Sequence, residues 1–276
     1  MQRGSRLWIC KYSLLWRIGG RRMSSECRFY SCNDKAMSFH PSGYCFQCYQ
    51  TDPKISKNAK QNQLKVLDLF SGFGGFSEAF VLNRDEVLRI ENNPLLCEVK
   101  HTVLMDVRKL RDIIAQGLAE GNLNPYLLNI DLIVASPPCY DFSLAFNAPQ
   151  GIVARKGREQ FDNYEPDMEL FLVTLEIIEM LKPRYWVIEN VNGSIRHCEK
   201  IGLKPRQKIQ AYVLYGNFPM FKPPKMAMKR HKDTKPHGHP LRANYRALIP
   251  IELSESLRSA IINQKTIFDY IGVEEE

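Results

Sequence analysis

The chain has 276 residues, 44% of them hydrophobic and 25% charged, with a formal net charge of +8 at pH 7. That length supports one good core plus a small appendage. No apolar run approaches the ~20 residues of a membrane span, and no signal-peptide core is present. The positive charge is concentrated. Residues 1–60 carry 11 Lys/Arg against 3 Asp/Glu, residues 222–246 carry 8 against 1, and the remainder is acidic, 19 against 26. An acidic body with two basic segments suits phosphate contacts, although charge runs are also commonly solvated faces.

Residues 1–22 hold Arg3, Arg6, Lys11, Arg17, Arg21 and Arg22, no acid, and the interleaved Trp8, Leu14, Leu15 and Trp16. This basic extension, residues 1–23, reads as disordered, as an organelle presequence, or as a stretch preceding translation from Met23. Residues 24–50 follow with Cys27-x4-Cys32-x12-Cys45-x2-Cys48, a spacing that suits a tetrathiolate zinc module. Cys45-Phe46-Gln47-Cys48 forms a knuckle with Gly43 before it, and His40 could replace one cysteine. The competing reading is four free thiols. Residues 51–63 are a polar linker.

Leu64–Phe70 is a strand pattern, followed at once by Ser71-Gly72-Phe73-Gly74-Gly75 and by Phe76–Leu82, which can open a helix. A strand, a glycine turn and a helix make a nucleotide-binding element, because glycine admits a close backbone approach. The next strand, Glu86–Ile90, ends on Glu91, where an acid can hold ribose hydroxyls. Asp106 follows a third short run, Thr102–Met105.

Asp131–Ala135 is a buried strand that Pro137 and Pro138 must end, which places Cys139 on a rigid loop at a strand's carboxyl end. In open α/β sheets ligands bind there. Asp167 can cap a helix carrying Leu170, Phe171, Leu175, Ile178 and Leu181 on one face, stopped by Lys182-Pro183. Tyr185–Ile188 is the next strand, with Glu189-Asn190-Val191 at its end.

In this order, Asp-Leu-Phe-Ser-Gly-Phe-Gly-Gly, Pro-Pro-Cys-Tyr-Asp-Phe-Ser and Glu-Asn-Val resemble the DNA (cytosine-5) methyltransferases, from Leu64 to about Gly216. The resemblance implies a doubly wound, Rossmann-like α/β methyltransferase sheet with helices on both faces. The cysteine module would stand before it as a small zinc-ribbon-like unit. It implies methyl transfer from S-adenosylmethionine to cytosine C5 in DNA, with Cys139 as nucleophile and Glu189 as the group stabilising charge on the ring. It implies a cofactor site of Phe70, Gly72, Gly74, Gly75, Glu91, Asn92, Asp106, Val107 and Pro137. The metal, if present, would be structural zinc on Cys27, Cys32, Cys45 and Cys48.

Several departures stand out. The family's Gln-x-Arg-x-Arg is reduced to Lys204-Pro205-Arg206-Gln207-Lys208, where Arg206 is the candidate for holding cytosine O2. Tyr140 replaces the usual glutamine, and the carboxyl-terminal Gly-Asn-Ser/Ala-Val is missing. Arg246-Ala247-Leu248-Ile249-Pro250 resembles a late structural element of the family. The catalytic domain is expected over 64–221, a basic loop over 222–246 in place of a recognition domain, and helical elements over 247–276. The substrate would be duplex DNA with a flipped cytosine, or single-stranded DNA. RNA methylation and an inactive nucleic-acid-binding scaffold are the alternatives. A monomer in a reducing intracellular compartment, with organelle import as a variant, completes the expectation.

Overall fold

The computed structural model describes residues 63–224 and 238–264. Cys27, Cys32, Cys45 and Cys48, the basic extension and nearly all of the linker lie outside the described residues, as do residues 225–237 of the basic loop. Among the described residues no helix is long and apolar enough to cross a membrane.

Seven strands form one sheet in the order β3-β2-β1-β4-β5-β7-β6. The strands β1 (Lys65–Leu69), β2 (Glu86–Glu91), β3 (Thr102–Leu104), β4 (Leu132–Ala135) and β5 (Tyr185–Val191) are mutually parallel. Strand β7 (Tyr212–Asn217) runs antiparallel between β5 and β6 (Gln207–Ile209). The helices are α1 (Glu78–Leu82), α2 (Val107–Ala119), α3 (Pro149–Lys156), α4 (Arg158–Asp162), α5 (Glu169–Leu181), α6 (Ile195–Lys200), α7 (Arg242–Ala247) and α8 (Ile251–Ile262).

The central strands read as continuous apolar runs because both faces of the sheet are covered. Leu67 and Leu69 of β1 and Ile133 of β4 join Leu110 and Ile114 of α2 and Phe171 and Ile177 of α5 in one core. Their neighbours Val66, Leu132 and Val134 join Phe80 of α1 and Leu253 and Leu257 of α8 in the other. Each fully buried leucine, isoleucine, valine or phenylalanine contributes about 1.5–3 kcal/mol. The chain leaves β1 toward β2 on one side and leaves β4 toward β5 on the other. The carboxyl ends of β1 and β4 therefore border the crevice of a doubly wound sheet.

Four local differences from the sequence reading have physical reasons. Helix α1 starts at Glu78 rather than Phe76, because Gly74 N–H bonds Ser71 O at 2.7 Å and Ser77 N–H bonds Gly74 O at 3.2 Å, prolonging the turn. The buried face of α5 is Phe171, Val173, Thr174, Ile177 and Ile178, wider than expected, because α2 packs beside the helix as well as the sheet below it. Leu170, Leu175 and Leu181 flank that face, half-buried. The N-cap is Met168, without a side-chain cap bond; Asp167, one residue earlier, accepts Glu169 N–H on its Oδ1 at 2.8 Å. Strand β5 runs through Glu189, Asn190 and Val191, because β7 gives all three an antiparallel partner. Finally, α7 lies mostly inside the segment read as a basic loop. It is held by the ring of Tyr245 against Phe73, with centroids 4.6 Å apart.

Candidate active site

The glycine turn is built by three unusual backbone positions. Phe70, Gly72 and Gly74 have φ of 58°, 55° and 79°, a region glycine occupies freely and phenylalanine does not. The turn is fixed from below by Glu91 at the end of β2. Glu91 Oε2 accepts Gly72 N–H and Oε1 accepts Asn93 N–H, both at 2.8 Å. Each oxygen keeps a further lone pair, so Glu91 can still accept hydroxyl donors.

Gly74 is required for a different reason from the one the sequence suggests. A Cβ there would lie 2.3 Å from Arg89 Cζ, so its bare face meets a buried guanidinium rather than a ligand. Arg89 is 2% exposed on β2. It donates to Ser77 Oγ at 2.8 Å, to Gly74 O at 3.0 Å, to Glu78 Oε2 at 2.8 Å and to Lys100 O at 3.1 Å. Asp68, beside it on β1, accepts Ser77 Oγ–H at 2.6 Å. Burial pushes the Asp68 carboxyl up to about 7, Arg89 and Ser77 opposing. Gly75 meets a second close approach, since a Cβ would lie 2.4 Å from Ile249 O.

Around this turn stand the other expected cofactor residues. Asn92 is exposed and Val107 is buried at the start of α2. Asp106 caps α2 by accepting Arg108 N–H at 2.8 Å and pairs with the Arg108 guanidinium at 3.1 Å. Ser71 Oγ is buried with no partner among the described residues, and so is Ser136 Oγ at the end of β4. Ser136 N–H bonds Leu69 O at 3.2 Å, so the two hydroxyls come from the adjoining strand ends that border the crevice. Orphaned hydroxyls, an acceptor carboxylate and a positive-φ turn together fit a polar, nucleoside-bearing cofactor.

Beyond Ser136, the loop crosses Pro137 and Pro138 to Cys139. Pro137 O accepts Asn190 Nδ2–H at 3.1 Å, which ties this loop to the end of β5. Ala135 and Ile188 are register partners, so Glu189 stands one step further along, beside the loop. The Cys139 thiol is raised above its ordinary value by burial first and by the Glu189 carboxylate second, while the Arg246 guanidinium of α7 pulls it down. Burial and the Glu189 carboxylate likewise push Tyr212 up to about 12. The structure thus brings Cys139, Glu189 and Arg246 into one electrostatic neighbourhood.

Arg206 N–H bonds Leu214 O at 2.9 Å, and Leu214 is the register partner of Glu189 across β7. The Arg206 side chain donates through Nε to Phe218 O at 3.0 Å. Phe218 follows Asn217, the register partner of Trp186 near the amino end of β5. The Arg206 Nε is therefore engaged by a carbonyl beyond the amino-end partner of β5.

Sequence reasoning missed Arg246, because a helix formed from the basic segment is needed to carry it over the glycine turn. It also assigned no role to Ser71 and Ser136, whose orphan hydroxyls are visible only once burial is known. The quoted Glu-Asn-Val triplet already contained the signal for Asn190. Among the described residues no cluster of His, Cys, Asp or Glu could hold a metal ion. An open groove of about 570 Å³ lies along Lys65, Glu86, Lys100, His101 and Thr102 and does not involve Cys139.

The family model for C-5 cytosine-specific DNA methylase matches residues 64–210. The chain belongs to that family. Among curated relatives, Type II methyltransferase M1.HphI of Haemophilus parahaemolyticus is 28% identical over 168 residues, 55% of this chain and 42% of that protein. Type II methyltransferase M.DdeI of Desulfomicrobium norvegicum is 28% identical over 47% of this chain and 28% of its own length. Type II methyltransferase M.AquIA of Picosynechococcus is 30% identical over 48% of this chain and 50% of its own. The chain therefore spans half or less of the length of these relatives.

Proposed function

We propose that this chain methylates C5 of cytosine in DNA, through a covalent bond between Cys139 and cytosine C6. The observation that carries the reading is the Asn190–Pro137 tie, which sets the loop of Cys139 against the strand end that bears Glu189, beside a cradle suited to a nucleoside cofactor. S-adenosylmethionine is the methyl donor the family implies; when bound, it supplies an electrophilic methyl group. Glu91 would accept its ribose hydroxyls, and the turn at Phe70, Gly72 and Gly74 would line it. By the family resemblance Asp106 would meet its adenine, with Asn92 and Val107 as further cofactor residues.

The work of the chain's own residues follows from their chemistry. Thiolate, not thiol, attacks carbon. The resting Cys139 thiol is held protonated, so deprotonation accompanies base entry. Addition of the thiolate to C6 places negative charge on the ring, and Glu189 donates or shares a proton at N3. C5 is then a nucleophilic carbon. After methylation, water takes the C5 proton, N3 returns its proton to Glu189, and elimination restores the aromatic ring and frees Cys139 as thiolate, which takes a proton from solvent. Asn190 keeps the Pro137 carbonyl, and with it the nucleophile's loop, against the strand that carries Glu189. The target carbon is shielded inside a duplex, so the base must be flipped out or unpaired.

One experiment tests the reading. Labelled methyl from S-adenosylmethionine is offered with duplex DNA, single-stranded DNA and RNA in parallel. Transfer to cytosine in DNA is expected, and transfer to RNA alone reassigns the substrate. A folded, cofactor-binding protein without transfer to any of the three leaves the scaffold reading.

A further inference from the structure

We propose that Gln150 is a positioning residue. Its buried amide ties the loop carrying Cys139 to the loop that follows Glu189, and so sets the spacing of thiol and carboxyl. The inference rests on the catalytic reading of those two residues.

Gln150 lies in the first turn of α3, next to Pro149, and is 0% exposed. Its Nε2 donates to Phe142 O and to Gly193 O, both at 3.2 Å. Phe142 follows Cys139 by three residues and its own N–H bonds Cys139 O at 3.2 Å. Gly193 follows Glu189 by four. Both amide protons are thus committed to main-chain carbonyls, one on each loop. Asn190 makes the matching tie to Pro137 O on the other side of the thiol. The nucleophile's loop is consequently held at Pro137 and at Phe142, and both ties end on β5 or its continuation.

Gly193 shows how close the two loops run. A Cβ there would lie 1.9 Å from Phe142 O and 2.7 Å from Gln150 Nε2, so no side chain can separate them. The orientation of the amide is set in turn by His197, whose Nε2 lies 2.8 Å from Gln150 Oε1. The two carbonyls select the amide's nitrogen, which leaves Oε1 as acceptor and His197 Nε2 as donor. Arg196 Nε also lies 3.0 Å from that nitrogen. It could donate only if the ring proton moved to Nδ1, and Oε1 would then face a lone pair. His197 is 2% exposed, between the rings of Phe142 and Tyr164. Burial first, then Arg196 and Lys200, hold it down to about 4 against the opposing Glu165, so it stays neutral.

A buried glutamine that merely stabilises the fold would affect melting temperature alone. The decisive reading is therefore the pH midpoint for iodoacetamide alkylation of Cys139, followed at that residue by peptide mass spectrometry in the folded full chain. Gln150→Met fills similar space without donors. It should free the loop from Glu189 and from burial, moving the midpoint down. It should also lower kcat by about 10- to 100-fold, the scale for misplacing a reacting group, with the affinity for S-adenosylmethionine held within about twofold. His197→Phe, which leaves the amide in place without its orienting donor, should move the midpoint the same way. It carries the test if Gln150→Met does not fold. An unshifted midpoint in the folded variant overturns the proposal, whatever the activity. If the wild-type protein methylates no nucleic acid, the catalytic reading falls separately, and the midpoint still decides the clamp.

Discussion

Gly74 and Arg89 divide one small space between them: the position a Cβ would take at Gly74 lies 2.3 Å from Arg89 Cζ. Gly74→Ala should destabilise the folded chain by about 2–4 kcal/mol, combining left-handed strain at φ 79° with overpacking. The signature is in the double variant. Gly74→Ala with Arg89→Met should be less destabilised than the sum of the two single variants, measured by denaturant unfolding. Strict additivity would return the importance of Gly74 to its backbone alone.

Glu91 accepts two backbone N–H groups, so it holds the turn as well as facing the cradle. Glu91→Ala should weaken S-adenosylmethionine binding by about 1.5–3 kcal/mol, the scale for hydrogen bonds to a charged group. Glu91→Gln should weaken it too, because its amide nitrogen would face an N–H donor. Calorimetry giving wild-type affinity for both folded variants would remove Glu91 from the cofactor site.

The pH dependence of Cys139 can be signed. Burial and Glu189 raise the thiol and Arg246 lowers it. Removing the cation in Arg246→Met should therefore shift alkylation of Cys139 to higher pH and slow it at neutrality. Glu189→Gln should shift it the other way. Cys139→Ser should abolish methyl transfer and the covalent adduct with 5-fluorocytosine DNA, leaving cofactor affinity nearly intact. An adduct surviving in Cys139→Ser would displace the nucleophile.

Asp68 gives a stability prediction. Its folded value of about 7 lies above the ordinary 3.8, so between those values the folded chain binds the extra proton. Its contribution is fully present below pH 3.8 and is lost as pH rises through about 7. Asp68→Asn, which keeps an acceptor for Ser77, should match the wild type in acid and gain on it progressively toward pH 8. Melting temperatures that diverge in acid instead would reverse the assignment.

The four-cysteine spacing carries its own test. The full chain purified without chelator should hold about one zinc, bound by Cys27, Cys32, Cys45 and Cys48. Deleting residues 1–60 should weaken DNA binding and flatten its salt dependence, with less effect on the methyl donor. Absence of zinc by elemental analysis rejects the module. Unchanged DNA affinity after deletion withdraws its role in binding.

Much of the fold was legible because the strands are short, apolar and punctuated. Pro137-Pro138 ends β4, the glycines end β1, and Lys182-Pro183 ends α5. Cys139 and Glu189 were legible for the same reason: each sits just past such an apolar run. What stayed hidden depends on partners distant in sequence. Arg206 could not be placed without knowing that β7 turns antiparallel. Arg246 needed α7 to fold over the glycine turn. Gln150 carries no local pattern, and its meaning comes from Phe142, Gly193 and His197, which only the fold assembles.

Helix α8 completes the first turn of the sheet. Ser254 Oγ accepts Ala79 N–H at 3.2 Å and donates to Phe76 O at 2.7 Å, Arg258 pairs with Asp85 at 2.6 Å, and Ile249 O fills the space beside Gly75. These partners are separated by some 175 residues of chain. During synthesis the glycine turn therefore emerges long before its cover. A nascent chain stalled ahead of Ile251 would expose Phe76, Phe80 and Val134 to chaperones, with its cradle unfinished.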